Sequence, residues 1–151
     1  MKSIFAPWRM EYIQASQKHE GCIFCDFPVE NKDDERLIPA RGKTCFVILN
    51  AYPYNPGHLM VAPYRHTAVY EELSDEEMFE MHQLGAKSIA VLKKIMAPQG
   101  FNLGINLGKV AGAGFDGHLH LHVVPRWNGD TNFMPAIAGV RVVAEALSAT
   151  Y

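Results

Sequence analysis

Gly117-His118-Leu119-His120-Leu121-His122-Val123-Val124-Pro125 alternates polar and apolar side chains from His118 to Val123. Side chains alternate across a strand, so His118, His120 and His122 share one face while Leu119, Leu121 and Val123 share the other. The apolar face can pack beneath a helix, which leaves the imidazole row facing a cleft or a ligand. Three adjacent rings crowd one another as cations, so at least some stay neutral and available as nucleophile or ligand. A plain core accommodates such a row poorly. Alternating histidines can hold a catalytic metal, since neutral imidazole is a common zinc ligand. They can equally make a nucleophile with supporting donors. The stretch alone leaves both open.

Working outward, the remaining elements give that strand its company. Phe101 to Leu107 and Leu119 to Val124 read as strands, as do Arg36-Leu37-Ile38 and Thr44 to Leu49, which flank a turn at residues 39–43 and suggest a hairpin. The turn-rich run from Asn50 to Gly57 ends pairing, and His58 to Ala62 forms a further strand stopped by Pro63. Ser74-Asp75-Glu76-Glu77 has the form of a capping box, opening a helix with an apolar stripe at Met78, Met81, Gly85, Ile89, Leu92 and Met96. Pro98 and Gly100 end it. Residues 28–35, the most polar stretch, read as an exposed loop, and Gly139 to Ala149 as a short helix. The expectation is a single α+β domain over residues 1–151, with about five antiparallel strands and one long helix on one sheet face.

Composition narrows the function classes. At 151 residues, 48% hydrophobic and 20% charged, the chain is an ordinary globular domain. A net charge of −2 carries no electrostatic footprint for nucleic acid. No run approaches the ~20 apolar residues of a membrane span, and the first residues lack the apolar core of a signal peptide, so the cytoplasm is the expected compartment. Three cysteines, two of them in Cys22-Ile23-Phe24-Cys25, do not suggest a disulfide framework. The pair is compatible with redox, zinc or free-thiol readings; a redox reading calls for a strand-to-helix turn, which the sequence does not suggest there.

His118-Leu119-His120-Leu121-His122-Val123-Val124 resembles the signature of the histidine triad (HIT) family, and other stretches agree in order: Asn50 through Pro56-Gly57-His58 to Pro63, and Phe101 to Asn106. The likeness runs from about Gly21 to Arg126. The start Ala6-Pro7-Trp8-Arg9-Met10-Glu11-Tyr12-Ile13 and the tail Pro125-Arg126-Trp127-Asn128-Gly129-Asp130-Thr131-Asn132-Phe133 are similar to a microbial subgroup related to diadenosine tetraphosphate phosphorylases. The resemblance implies that His120 attacks the α-phosphorus of a nucleotide substrate to form a nucleotidyl-histidine. The same ring's other nitrogen would bond the His118 carbonyl, and His122 would bond a phosphate or leaving-group oxygen. His58 matches a position that supports the triad. Asn50 matches a ribose-binding residue, and Ile48 and Met60 match the walls of the base pocket.

The glycines between Gly108 and Gly117 let backbone N–H groups approach phosphate oxygens, with Ala113, Gly114 and Asn106 as candidate contacts. Many members of the family bind a structural zinc through positions that read here Cys22, Cys25, His66 and His118, a ligand set suited to tetrahedral zinc. Homodimers are common in the family, and Trp8, Tyr12 and Trp127 would suit an interface.

Three functions compete. The first is a nucleotidyl transferase or hydrolase cleaving dinucleoside polyphosphates, leaning to phosphorolysis, with water-dependent cleavage of dinucleoside polyphosphates or phosphoramidates as its alternative. The second is a metal-dependent hydrolase that uses the three histidines as ligands. The third is a nucleotide-sensing module with negligible turnover. On the acceptor, the chain departs from many relatives by placing Gly114 where a glutamine or a phosphate-binding serine stands. That departure weakens phosphorolysis without removing it.

Overall fold

Ser74 starts the one long helix as expected. Its hydroxyl accepts from the Glu77 N–H at 3.1 Å, and the Glu77 carboxylate accepts from the Ser74 N–H at 2.9 Å. In the computed structural model, which describes residues 21–130, this helix is one of three. They are α1 (Ile23–Glu30), α2 (Asp33–Arg36) and α3 (Asp75–Met96). Single 3-10 turns lie at Tyr70–Glu72 and Lys109–Ala111.

Five strands form one antiparallel sheet: β1 (Ala40–Arg41), β2 (Cys45–Leu49), β3 (Leu59–Pro63), β4 (Gly100–Ile105) and β5 (Leu121–Arg126). Their order across the sheet is β1-β2-β3-β5-β4. The expected α+β architecture, five antiparallel strands with a helix on one face, is what the chain adopts. Among the described residues no helix is long and apolar enough to cross a membrane.

The sheet has two covered faces. Val47, Leu49, Leu59, Val61, Leu119, Leu121 and Val123 pack with Met81, Leu84 and Leu92 of α3. Gly85 belongs to the apolar stripe for a reason of space: a Cβ there would lie 3.3 Å from Leu121 Cδ2, so the small residue lets helix and strand approach. On the opposite face, Phe46, Ile48, Met60 and Ala62 form a second cluster with Phe24 of α1 and Ile38. Burial on both faces explains why β2 and β3 read as continuous apolar runs rather than alternating ones.

Several local expectations are corrected. Residues 28–35 are largely helical, not a loop. α1 runs through Pro28 to a left-handed Asn31, and α2 follows two residues later. Ion pairs Arg36–Glu30 and Arg41–Asp33, each 2.7 Å, tie this polar stretch down, and short-range polarity could not reveal them. The strand expected at Arg36-Leu37-Ile38 is absent. Leu37 is left-handed, Ile38 is buried in the second cluster, and pairing begins at Ala40, inside the predicted turn. The tight connection into β2 is held by Glu80 of α3, whose carboxylate accepts from the backbone N–H groups of Lys43, Thr44 and Cys45. β4 stops at Ile105, short of Leu107, and β5 starts at Leu121, so His118 and His120 precede the paired strand. The expected helix at Gly139 to Ala149, together with Trp8 and Tyr12, lies outside the described residues.

Candidate functional site

Pairing of β3 with β5 sets Met60 opposite His122, and Gly104 of β4 lies opposite His122 on the other side. Opposed residues share a face, so the histidines project from the side away from α3, as the alternation implied. His118, His120 and His122 are 1%, 6% and 8% exposed, and burial holds each ring below the ordinary imidazole range, to about 4 for His118 and His122. All three rings are neutral at pH 7. Each neutral ring then has one donor nitrogen and one lone pair, and the neighbours decide which is which.

The His120 Nδ1 lies 2.9 Å from the His118 carbonyl oxygen, an acceptor only, so Nδ1 carries the proton and Nε2 keeps its lone pair. A second chain of bonds runs the other way. The Tyr54 backbone N–H donates to His58 Nδ1 at 3.1 Å, with Asn50 Nδ2 also 3.3 Å away. His58 must therefore donate from Nε2, which sits 2.9 Å from His122 Nδ1. His122 is left with its proton on Nε2. The adjacent rings, 4.8 Å apart between centroids, thus differ in kind: His120 offers an electron pair and His122 offers a hydrogen. His58 is 1% exposed and reaches this site through its bond to His122.

The turn before β3 makes this possible. Gly57 has φ +76, and a Cβ there would meet Met96 Sδ at 2.8 Å, so both conformation and space require glycine. Asn55, buried beside it, donates to the Pro125 carbonyl at 2.9 Å and to Asp130 at 2.8 Å, which docks the turn on the end of β5.

Sequence reasoning missed Phe24. It lies between the two cysteines, is 1% exposed, and stacks on His120 with centroids 4.8 Å apart and planes 21° from parallel. Its edge also meets Phe115 of the glycine-rich loop at 6.0 Å. An aromatic inside the Cys-x-x-Cys segment was the available signal. Tyr54, whose ring lies 4.7 Å from that of His58, carried no signal beyond a turn-rich context.

Cys22, Cys25, His66 and His118 come together, with their ligand atoms all within 4.8 Å of one another. The Cys22 and Cys25 sulfurs are 3.3 and 3.5 Å from His118 Nδ1, and Cys25 Sγ is 3.4 Å from His66 Nδ1. Tetrahedral bond lengths for zinc imply S···N separations of about 3.6 Å, so the spacing suits a small tetrahedral ion. His118 Nε2 donates to the Pro63 carbonyl at 2.8 Å, which turns the Nδ1 lone pair toward the sulfurs. Burial and then the neighbouring Cys22 push the Cys25 thiol up to about 11, a cost that a bound cation reverses. Cys22 is the N-cap of α1, a helix not anticipated at this pair. His120 and His122 direct their Nδ1 atoms elsewhere, so the triad rings do not converge on one ion.

The remaining candidates fall around this centre. Ile48 and Met60 are buried in the second apolar cluster, on the β2–β3 side of the histidines. Asn50, half-buried, reaches His58 and accepts from the Tyr52 N–H at 2.9 Å. Asn106, also half-buried, lies just beyond β4. Of the loop glycines, Gly108 and Gly112 have positive φ, and Ala113 is half-buried while Gly114 is exposed.

Sheet order, glycine-rich loop and the two-tautomer histidine row define the histidine triad class. The HIT domain family model matches residues 33–129, and the chain belongs to that family. It is 42% identical over 158 residues to the AP-4-A phosphorylase of Mycobacterium tuberculosis, covering 99% of this chain and 80% of that one. It is 31% identical to an adenosine 5'-monophosphoramidase of Schizosaccharomyces pombe, over 72% of this chain and 76% of that one. A crystal structure of a Zn-bound histidine triad family protein from Mycobacterium smegmatis superposes with a TM-score of 0.69 at 26% identity, covering 86% and 87% of the two chains.

Proposed function

We propose that this protein is a nucleotidyl transferase that cleaves dinucleoside polyphosphates through His120, with inorganic phosphate as acceptor. The observation that carries the reading is the opposed tautomers: His118 O fixes the His120 proton on Nδ1, and His58 fixes the His122 proton on Nε2. His120 Nε2 forms a bond to the α-phosphorus as the bond from phosphorus to the bridging oxygen breaks. The His122 Nε2–H stabilises the charge that develops on the departing oxygen. Attack by phosphate then breaks the N–P bond and restores His120. With diadenosine tetraphosphate the products are ATP in the first step and ADP in the second.

Similarity to an AP-4-A phosphorylase supports this substrate class and acceptor. Gly114 supplies no hydroxyl to phosphate, so backbone N–H groups of Ala113 and Gly114, with Asn106, are assigned to that anion. Water is the alternative acceptor, and the bare Gly114 is the feature that favours it. Diadenosine tetraphosphate assayed with and without added phosphate separates them. Phosphate-dependent ADP and ATP support the proposal; AMP and ATP at one rate in both conditions reject phosphorolysis and leave the His120 step standing.

Zinc fits Cys22, Cys25, His66 and His118 by donor type, spacing and the His118 tautomer, and we assign it a structural role. It cross-links α1 to the segment that carries the triad. A homodimer joined at β4 is part of the same reading, since among the described residues β4 is an edge strand and its Leu103 is 47% exposed.

A further inference from the structure

The histidine row divides its sheet face into two unlike halves. Toward β3 and β2 stand Met60, Ile48, Ala62 and Phe46, all buried and apolar. Toward β4 the same face carries Asn102, Gly104 and Asn106, and a cavity of about 300 Å³ opens there beside His122. That volume is at the lower bound of small-molecule sites, ~300 Å³. Gly104 stands opposite His122, and among the described residues a Cβ built on it would meet no atom within 4 Å, so the wall beside His122 is bare backbone.

The polar groups at the far end are fixed rather than loose. Arg126 is held by Asp130, with Nη2 to Oδ1 at 2.8 Å and a second bond from Nε. Asp130 is itself anchored by Asn55 Nδ2 and by the Trp127 N–H at 3.1 Å. Arg126 Nη1 donates to Asn102 Oδ1 at 2.7 Å. A guanidinium has only donors, so this bond settles the orientation of the amide: oxygen on Arg126, NH2 on the other side. Among the described residues that NH2 has no protein acceptor, and neither does the Asn106 amide. Among the described residues the cavity is thus bordered by the His122 Nε2–H and the amides of Asn102 and Asn106, beside the apolar Leu103 and Val124, and the neighbouring Asp130 carboxylate is taken up by Arg126, Asn55 and Trp127.

We propose that this β4-side cavity is the subsite for the departing nucleoside polyphosphate, whose phosphates beyond the bridging oxygen are read by the Asn102 and Asn106 amides. The inference rests on the nucleotidyl-transfer reading above and extends it from chemistry to leaving-group selection. A polyanionic leaving group gains these contacts; ammonia, released from a nucleoside phosphoramidate, is too small to reach them.

Two substrates that present the same adenylyl group separate the possibilities: diadenosine tetraphosphate and adenosine 5'-phosphoramidate. Asn102→Asp keeps the Arg126 contact, removes both donors and adds a negative charge. Gly104→Val narrows the cavity without a charge, at an exposed position with ordinary backbone geometry. Each variant is expected to lower kcat/KM for the tetraphosphate about tenfold or more and to leave the phosphoramidate within twofold of the unaltered protein. Equal losses on both substrates, or no loss on either, would overturn the subsite. An unaltered protein that turns over neither substrate would instead overturn the nucleotidyl-transfer reading, and the subsite with it.

Discussion

At the scale of single residues, the site works by making two chemically identical side chains unlike. His120 and His122 are both buried and neutral, and their difference arises from one carbonyl and one backbone N–H acting through His58. At neutral pH, long-range ¹H–¹⁵N spectra should show His120 protonated on Nδ1, and His58 and His122 protonated on Nε2; the reverse pattern at His122 would contradict the relay. His120→Ala removes the lone pair proposed to attack, so turnover should fall roughly 10³-fold or more while nucleotide affinity stays close to that of the unaltered protein. Near-normal kcat in that variant would remove His120 from the mechanism. His58→Ala leaves His122 free to change tautomer, and kcat should fall ~10²-fold with KM little changed. A rise in KM alone would place His58 on the substrate instead.

At the scale of elements, α3 is the support on which the triad segment lies, and its first turn holds more than its own backbone. Glu77 closes the capping box and also accepts from Arg65 at 2.9 and 2.7 Å, which ties the helix start to the segment just before His66. Ser74→Ala should cost about 1 kcal/mol in denaturant unfolding. The Arg65 guanidinium first, and the Ser74 N–H with it, hold the Glu77 carboxyl down at about 2 against an ordinary 4.5. A depressed folded value means that the unfolded chain takes up the proton more readily. The stabilisation is therefore complete above pH 4.5 and is lost as pH falls toward 2. Glu77→Gln should be less stable than the unaltered protein at pH 7, and the gap should close across that window. A gap independent of pH would show that the ion pair contributes nothing.

At the scale of the whole molecule, the four side chains proposed to hold zinc link parts of the chain far apart in sequence: the start of α1, the segment after β3 and the segment before β5. Through Phe24, that junction also presses on His120. A metal bound only by the folded state adds stability by mass action, ~2.7 kcal/mol at a hundredfold excess over Kd. Chelation should then lower Tm by roughly 5–10 °C. Elemental analysis of protein purified without chelator should find about one zinc per chain. Negligible zinc together with an unchanged Tm on chelation would reject the assignment.

Much of the framework was legible from order along the chain, because it depends on local periodicity. The alternation from His118 to Val123 assigned faces correctly even though His118 lies at a bend and pairing starts only at Leu121: Leu119, Leu121 and Val123 pack in the helix-side core, while Phe24 of the opposite cluster stacks on His120. The Ser74 capping box and the stripe of α3 are likewise contacts between near neighbours. Positions with no local signature had to wait for the tertiary structure. Residues 28–35 are polar in composition yet largely helical, and the ion-pair partners that tie them down, Arg36 and Arg41, lie outside the stretch. Leu37 and Ile38 are apolar because they approach the core; no strand forms there, and among the described residues the one backbone link to β2 is the Leu37 carbonyl accepting from the Leu49 N–H. The resemblance suggested that Cys22, Cys25, His66 and His118 belong together, but only folding shows that their donor atoms converge and that Phe24, carried between two of them, stacks on His120. The same holds for the two tautomers. A sequence can name histidines, but which nitrogen holds the proton depends on what lies within 3 Å of each ring, and folding alone supplies the Tyr54 N–H and the His58 ring that set the proton on His122.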